Sequence, residues 1–179
     1  VSYERLGDLL VGDFDYEGGL AAYGDALMIR EELAALDPDN TLRQRDLAVT
    51  FERIGDTNGL LGDPESSFLA YQAAMDVRER LAALDPTNML WQHDLSVTLE
   101  RLGDFHQDEN DLVAALAAHD RSRLLRETIV ALDPENLSRQ RDLGVAIERV
   151  GDVKLAMGDR DGARAMYEAA LRLRQSLLA

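Results

Sequence analysis

From Thr41 to Asn88 the apolar positions recur with the 3.6-residue period of a helix. Leu47, Phe51, Ile54 and Asn58 fall on one side of the first stretch. Gly62 follows, a residue that tolerates positive φ and so ends a helix well. Asp63 is placed to cap a second helix, and Pro64 suits its first turn. That second helix carries Ser67, Tyr71, Ala74, Val77 and Leu81 on its inner face. "LDPTN" then closes the unit, with Asn88 able to cap the next helix. No segment shows the two-residue period of a strand. The pattern predicts an all-α chain of antiparallel helix pairs.

The pair is repeated. "RQRDLAVTFERIGD" (43–56) returns as "WQHDLSVTLERLGD" (91–104) and "RQRDLGVAIERVGD" (139–152), and "VSYERLGD" opens the chain. Gly7, Gly55, Gly103 and Gly151 are each 48 residues apart, as are Pro38, Pro86 and Pro134. The units are 1–40 (truncated), 41–88, 89–136 and 137–179 (truncated). They predict seven or eight helices in a single array over 1–179, cut from a longer protein.

The unit resembles a tetratricopeptide repeat. Phe51, Ile54 and Gly55 stand where that family has an aromatic and then Leu-Gly, as do Tyr3-Leu6-Gly7, Leu99-Leu102-Gly103 and Ile147-Val150-Gly151. Ser67 and Tyr71 match the later small-then-aromatic pair, with Gly19 and Tyr23, Ala115 and His119, and Ala163 and Tyr167 in the other copies. Small residues follow at Ala26, Ala74, Ser122 and Ala170. The resemblance implies a right-handed α-solenoid of about 3.75 repeats. The chain departs from it in two ways. The family period is about 34 residues, so each unit carries seven extra residues before the pattern ("TLRQRDL") and seven at the end of the second helix. Each extension adds roughly 10 Å of helix. The aromatic after the Gly is replaced by Leu10, Asn58, His106 or Lys154.

Composition narrows the function. The net charge is −15. Nucleic acid and anionic membrane surfaces are therefore poor partners, since binding there needs Lys and Arg to neutralise phosphates. A basic partner would be steered in. With no cysteine, disulfides and thiolate metal sites are excluded. The longest apolar run, "LVAALAA" (112–118), is too short to span a bilayer. No signal-like segment opens the chain, and a cytoplasmic location is the expectation.

On a helical wheel Glu52, Arg53 and Asp56 share one arc with Asp46, opposite Leu47, Phe51 and Ile54. In the family, the first helix of each pair lines the concave surface where partners bind. The resemblance thus implies a partner arc of Glu52, Arg53, Asp56, Glu100, Arg101, Asp104, Glu148, Arg149 and Asp152. Clamp-type members use Lys and Asn on this arc to hold a terminal carboxylate; Glu52 and Asp56 have the opposite character and suit an Arg- or Lys-bearing segment. Paired carboxylates could serve as acid and base. Four equal copies with an internal Arg argue instead for recognition, so neither catalysis nor a cofactor is expected. Self-association through exposed terminal helices is the alternative.

Arg30, Arg78, Arg126 and Arg174 recur on the inner side of the second helix, where a lone guanidinium is costly to bury. Asp46 points away from its own partner helix, so pairing to the next unit is favoured: Arg30 with Asp46, Arg78 with Asp94, Arg126 with Asp142. Arg174 would be left over. His93 lies about 20 Å from His106 along one helix, which leaves His106 and His119 as a core pair rather than a metal set. "DFHQDEND" (104–111) lacks the Gly and Glu of a calcium loop and is read as a polar helix end. Trp91 replaces an Arg of two other units and is a candidate partner anchor.

Overall fold

A computed structural model describes residues 2–177. It contains eight helices: α1 (Ser2–Gly12), α2 (Tyr16–Leu36), α3 (Thr41–Leu61), α4 (Pro64–Leu84), α5 (Met89–Asp108), α6 (Leu112–Leu132), α7 (Leu137–Ala156) and α8 (Arg160–Ser176). No strand occurs among the described residues. The chain forms two compact units, Val1–Leu84 and Asp85–Ala179. In the first, α1 packs on α2, α2 on α3 and α3 on α4. In the second, α5 packs on α6, α6 on α7 and α7 on α8.

The turns follow from the residues that form them. Within each helix pair, the turn holds one residue at positive φ: Phe14 (65°), Gly62 (77°), Asn110 (59°) and Gly158 (83°). Glycine and asparagine take this conformation readily, whereas a bulky Phe14 is strained there. The next acidic residue then caps the second helix. Asp15 accepts from the Gly18 amide, Asp63 from Ser66, Asp111 from Ala114 and Asp159 from Gly162. Between pairs, Asn40, Asn88 and Asn136 cap α3, α5 and α7 as the Leu-Asp-Pro-x-Asn turn predicts.

Each pair closes on a glycine. A Cβ at Gly55 would sit 2.7 Å from the Tyr71 ring, and one at Gly7 2.5 Å from Tyr23. Gly103 meets His119 in the same way, and Gly151 meets Tyr167. The ring of the second helix thus lies flat on the bare backbone of the first. Gly144, by contrast, has nothing closer to its would-be Cβ than Leu173 Cδ2 at 3.9 Å. The two positions should respond with opposite signs. Gly55→Ala forces the ring away and should cost about 1–2 kcal/mol, overpacking outweighing the helix propensity gained. Gly144→Ala should stabilise by up to about 1 kcal/mol. Urea midpoints of the two variants check this; a gain at both would mean that the ring–glycine contact carries no packing constraint.

Candidate functional site

The Glu-Arg-x-Gly-Asp motif lies on α1, α3, α5 and α7, and the structure shows what each of its residues touches. In the first unit, Arg30 donates twice to Glu4, Nη1 to Oε1 at 3.2 Å and Nη2 to Oε2 at 2.6 Å. Arg78 holds Glu52 by the same fork, at 2.5 and 2.7 Å. In the second unit Arg126 Nη2 donates to Glu100 at 2.5 Å, and Arg174 Nη2 to Glu148 at 2.6 Å. The motif's Glu is therefore the carboxylate that neutralises the Arg of its own helix pair, in all four copies.

This corrects the expected partners. Asp46 meets Arg30 through its backbone carbonyl, at 2.8 Å, and Arg30 also donates to the Thr50 hydroxyl. Asp142 likewise gives Arg126 a carbonyl at 2.9 Å. Arg78 was expected on Asp94, and the carboxylate that grips it within its own unit is Glu52. Arg174 is not left over. The physical reason is reach. Counting outward from the turn, Arg78 lies farther out than Glu52, and because helical side chains lean toward the N-terminus of their own helix, the guanidinium reaches back toward the turn while the Glu reaches outward. Both sit at the edge of the helix contact, so a long Glu side chain bends back from the polar arc to the guanidinium. The Asp46 side chain is too short to do so from its angle.

The motif's Asp is engaged from behind as well. Tyr23 donates its hydroxyl to Asp8 at 2.7 Å, Tyr71 to Asp56 at 2.7 Å and Tyr167 to Asp152 at 2.8 Å. Burial, and then the Asp8 carboxylate, push the Tyr23 hydroxyl well above its ordinary pKa. The hydrogen bond to Asp152 does the same for Tyr167. The motif's Arg reaches the Asp of the preceding motif: Arg53 Nε lies 3.4 Å from Asp8, and Arg149 Nη1 lies 3.7 Å from Asp104. A hollow of about 240 Å³ in the second unit is lined by Val97, Glu100, Arg101, Asp104 and Arg149.

One copy departs from the pattern. His119 fills the place of the tyrosine, buried against Gly103. Its Nε2 stands 3.6 Å from Asp104 Oδ1 and has no hydrogen-bond partner. Burial holds the imidazole below its usual pKa, against the pull of Asp104. Burial also raises the Asp104 carboxyl, against Arg149 and His119. His106 stands edge-on to Phe105, with ring centroids 5.6 Å apart. Trp91 is partly buried in the first turn of α5.

Charge on the arc is thus largely paired, since each motif Glu meets the Arg of its own helix pair and Asp8 and Asp104 each meet the Arg of the next motif. Much of the surplus acidity sits at helix caps and turns. There, backbone amides and neighbouring hydroxyl or ammonium groups hold Asp63, Asp85 and Asp159 below the usual carboxyl range.

No family model and no curated protein matches the chain. Solved structures do. BtubC (BKLC) from P. vanneervenii is 18% identical and aligns over 99% of this chain and 63% of its own, with a TM-score of 0.76. The fold is of the tetratricopeptide-repeat type. The chain spans just under two thirds of BtubC. A TPR protein of Thermus thermophilus (16% identity, 99% of this chain, 96% of that one) superposes with a TM-score of 0.43. The TPR-like repeats of a putative kinesin light chain from Podosopora anserina (10%, 98% and 94%) give 0.47. Among the described residues no helix is long and apolar enough to cross a membrane.

Proposed function

We propose that the chain is a protein-binding scaffold module in which the polar arc on the first helices of each unit takes an Arg- or Lys-bearing segment. The observation that supports this most is the way the arc's carboxylates are held. Asp8, Asp56 and Asp152 are fixed from behind by a Tyr hydroxyl and each Glu by an Arg, yet the Asp row keeps an open edge; the Asp104 side chain is 37% exposed. A row whose rotamers are already set loses little entropy when a partner binds. The Glu row is turned inward, so recognition falls to Arg53, Asp56, Arg101, Asp104, Arg149 and Asp152. Glu52, Glu100 and Glu148 serve as the rigid base of the arc. The net charge of −15 would steer a basic segment toward it.

Fluorescence anisotropy with a Lys/Arg-rich peptide and a Glu/Asp-rich peptide of equal length tests this. The basic peptide should bind preferentially, and more weakly as salt rises. Asp104→Asn removes the charge and keeps an oxygen, and should weaken binding by about 0.2–1 kcal/mol. Equal binding of the two peptides, or binding indifferent to salt, would falsify the reading.

A further inference from the structure

We infer, resting on the peptide reading above, that the hollow beside Asp104 seats a single lysine side chain of the basic segment, and that His119 sets this copy of the motif apart for it. The four motif aspartates are alike in sequence and unlike in state. Asp8, Asp56 and Asp152 each accept a Tyr hydroxyl. Asp104 is the exception: among the described residues no side chain donates a hydrogen bond to it. His119 Nε2 stops 3.6 Å from its Oδ1, and Arg149 Nη1 stops 3.7 Å from the same oxygen. The His119 side chain is 1% exposed and its Nε2 has no partner, so the buried ring points at the carboxylate without satisfying it. A half-buried carboxylate short of a donor gains more from one that a ligand brings than does a carboxylate already hydrogen-bonded.

The hollow, about 240 Å³ and walled by Val97, Glu100, Arg101, Asp104 and Arg149, has room for one such donor. His119 and Arg149 both approach Asp104 at Oδ1, so a ligand meets the carboxylate at its other oxygen. Glu100 stands one turn before Asp104 on α5 and is held by Arg126 through Oε2, which leaves Oε1 as a second acceptor. The seat thus offers two single oxygens on two carboxylates. An ammonium, with three donors on a compact head, can take both. A guanidinium binds best against both oxygens of one carboxylate, and here it would also lie against the guanidiniums of Arg101 and Arg149. Those two arginines therefore favour lysine over arginine, and Val97 gives the lysine stem an apolar surface. An acidic side chain is repelled by the same two oxygens that draw the ammonium.

Fluorescence anisotropy with a Lys-rich and an Arg-rich peptide of equal length and charge tests this. The parent should bind the Lys-rich peptide about threefold more tightly. Asp104→Asn should weaken that peptide by up to about fivefold and remove its advantage over the Arg-rich one. Asp56→Asn and Asp152→Asn should weaken both peptides alike and leave the advantage in place. His119→Tyr should remove it too, because the hydroxyl then occupies Asp104. That variant's folded state gains stability, so urea midpoints measured alongside separate a lost seat from a damaged fold. Equal affinity of the parent for the two peptides overturns the proposal, and so does a Lys advantage that survives Asp104→Asn or His119→Tyr. Salt-sensitive binding of both peptides without that advantage leaves the scaffold reading standing and removes only the lysine seat; binding of neither peptide removes both.

Discussion

Arg126→Ala should lower the unfolding free energy by about 3 kcal/mol, the lower end of what is lost when one partner of a buried ion pair is removed. The lower end applies because Arg126 is 7% exposed but Glu100 is 20% exposed, so water reaches part of the stranded carboxylate. The loss is larger than that of one contact. Arg126 also donates to Ser96 Oγ at 3.3 Å and to the Asp142 carbonyl at 2.9 Å, joining α6 to both α5 and α7. Arg174→Ala removes the equivalent ion pair where the guanidinium is 54% exposed and should cost no more than about 1 kcal/mol. Replacing both partners, Arg126→Met with Glu100→Leu, should recover most of the loss, since no buried charge then remains. Urea titrations with unchanged slopes give these differences directly. Similar small losses for Arg126→Ala and Arg174→Ala would mean that the Arg–Glu pair does not hold the helix pairs together.

What was legible in the sequence was what period and local chemistry determine. The 48-residue recurrence of Gly55 and Pro86 sets the helix pairs, and Asn88, Asp63 and Gly62 act as cap and turn where their residue types say they should. The candidate site was less legible because a helical wheel reports the direction of Cβ and not where a long side chain ends. Glu52 leaves the helix on the polar arc, and its carboxylate finishes against Arg78. Asp56 stays on the arc, but the Tyr71 ring lies flat on Gly55 one residue away, which brings the hydroxyl up to its carboxylate. The signal for this was present in the motif: a glycine beside an acid on one helix, and on the next helix an aromatic whose tip is polar in every copy, Tyr23, Tyr71, His119 and Tyr167. Gly-Asp is a socket for a ring with a proton to donate. That explains why the motif recurs with every helix pair.

His119→Tyr should therefore stabilise the second unit, by about 1–3 kcal/mol at neutral pH. The hydroxyl would reach Asp104 as it reaches Asp8, Asp56 and Asp152, replacing a buried nitrogen that has no partner. The gap should widen on mild acidification. Desolvation keeps the folded imidazole's pKa below its usual value, although Asp104, Glu100 and Asp152 favour the proton and Arg149 opposes it. The unfolded chain takes up that proton near pH 6.5. From there down to the folded pKa the unfolded state binds more protons, so stability falls as the pH falls. Asp104 acts in the opposite sense at lower pH. Its folded pKa is raised, chiefly by burial, so the folded state keeps that proton to higher pH and gains stability as the pH drops through the raised value toward 3.8. The parent should thus show a dip in stability below about pH 6.5 that eases toward pH 4. A tyrosine, which does not titrate in that range, should erase the descending side of the dip. Urea midpoints at successive pH values decide it: parallel profiles for parent and variant between neutrality and pH 5 would mean that His119 takes up its proton as easily folded as unfolded.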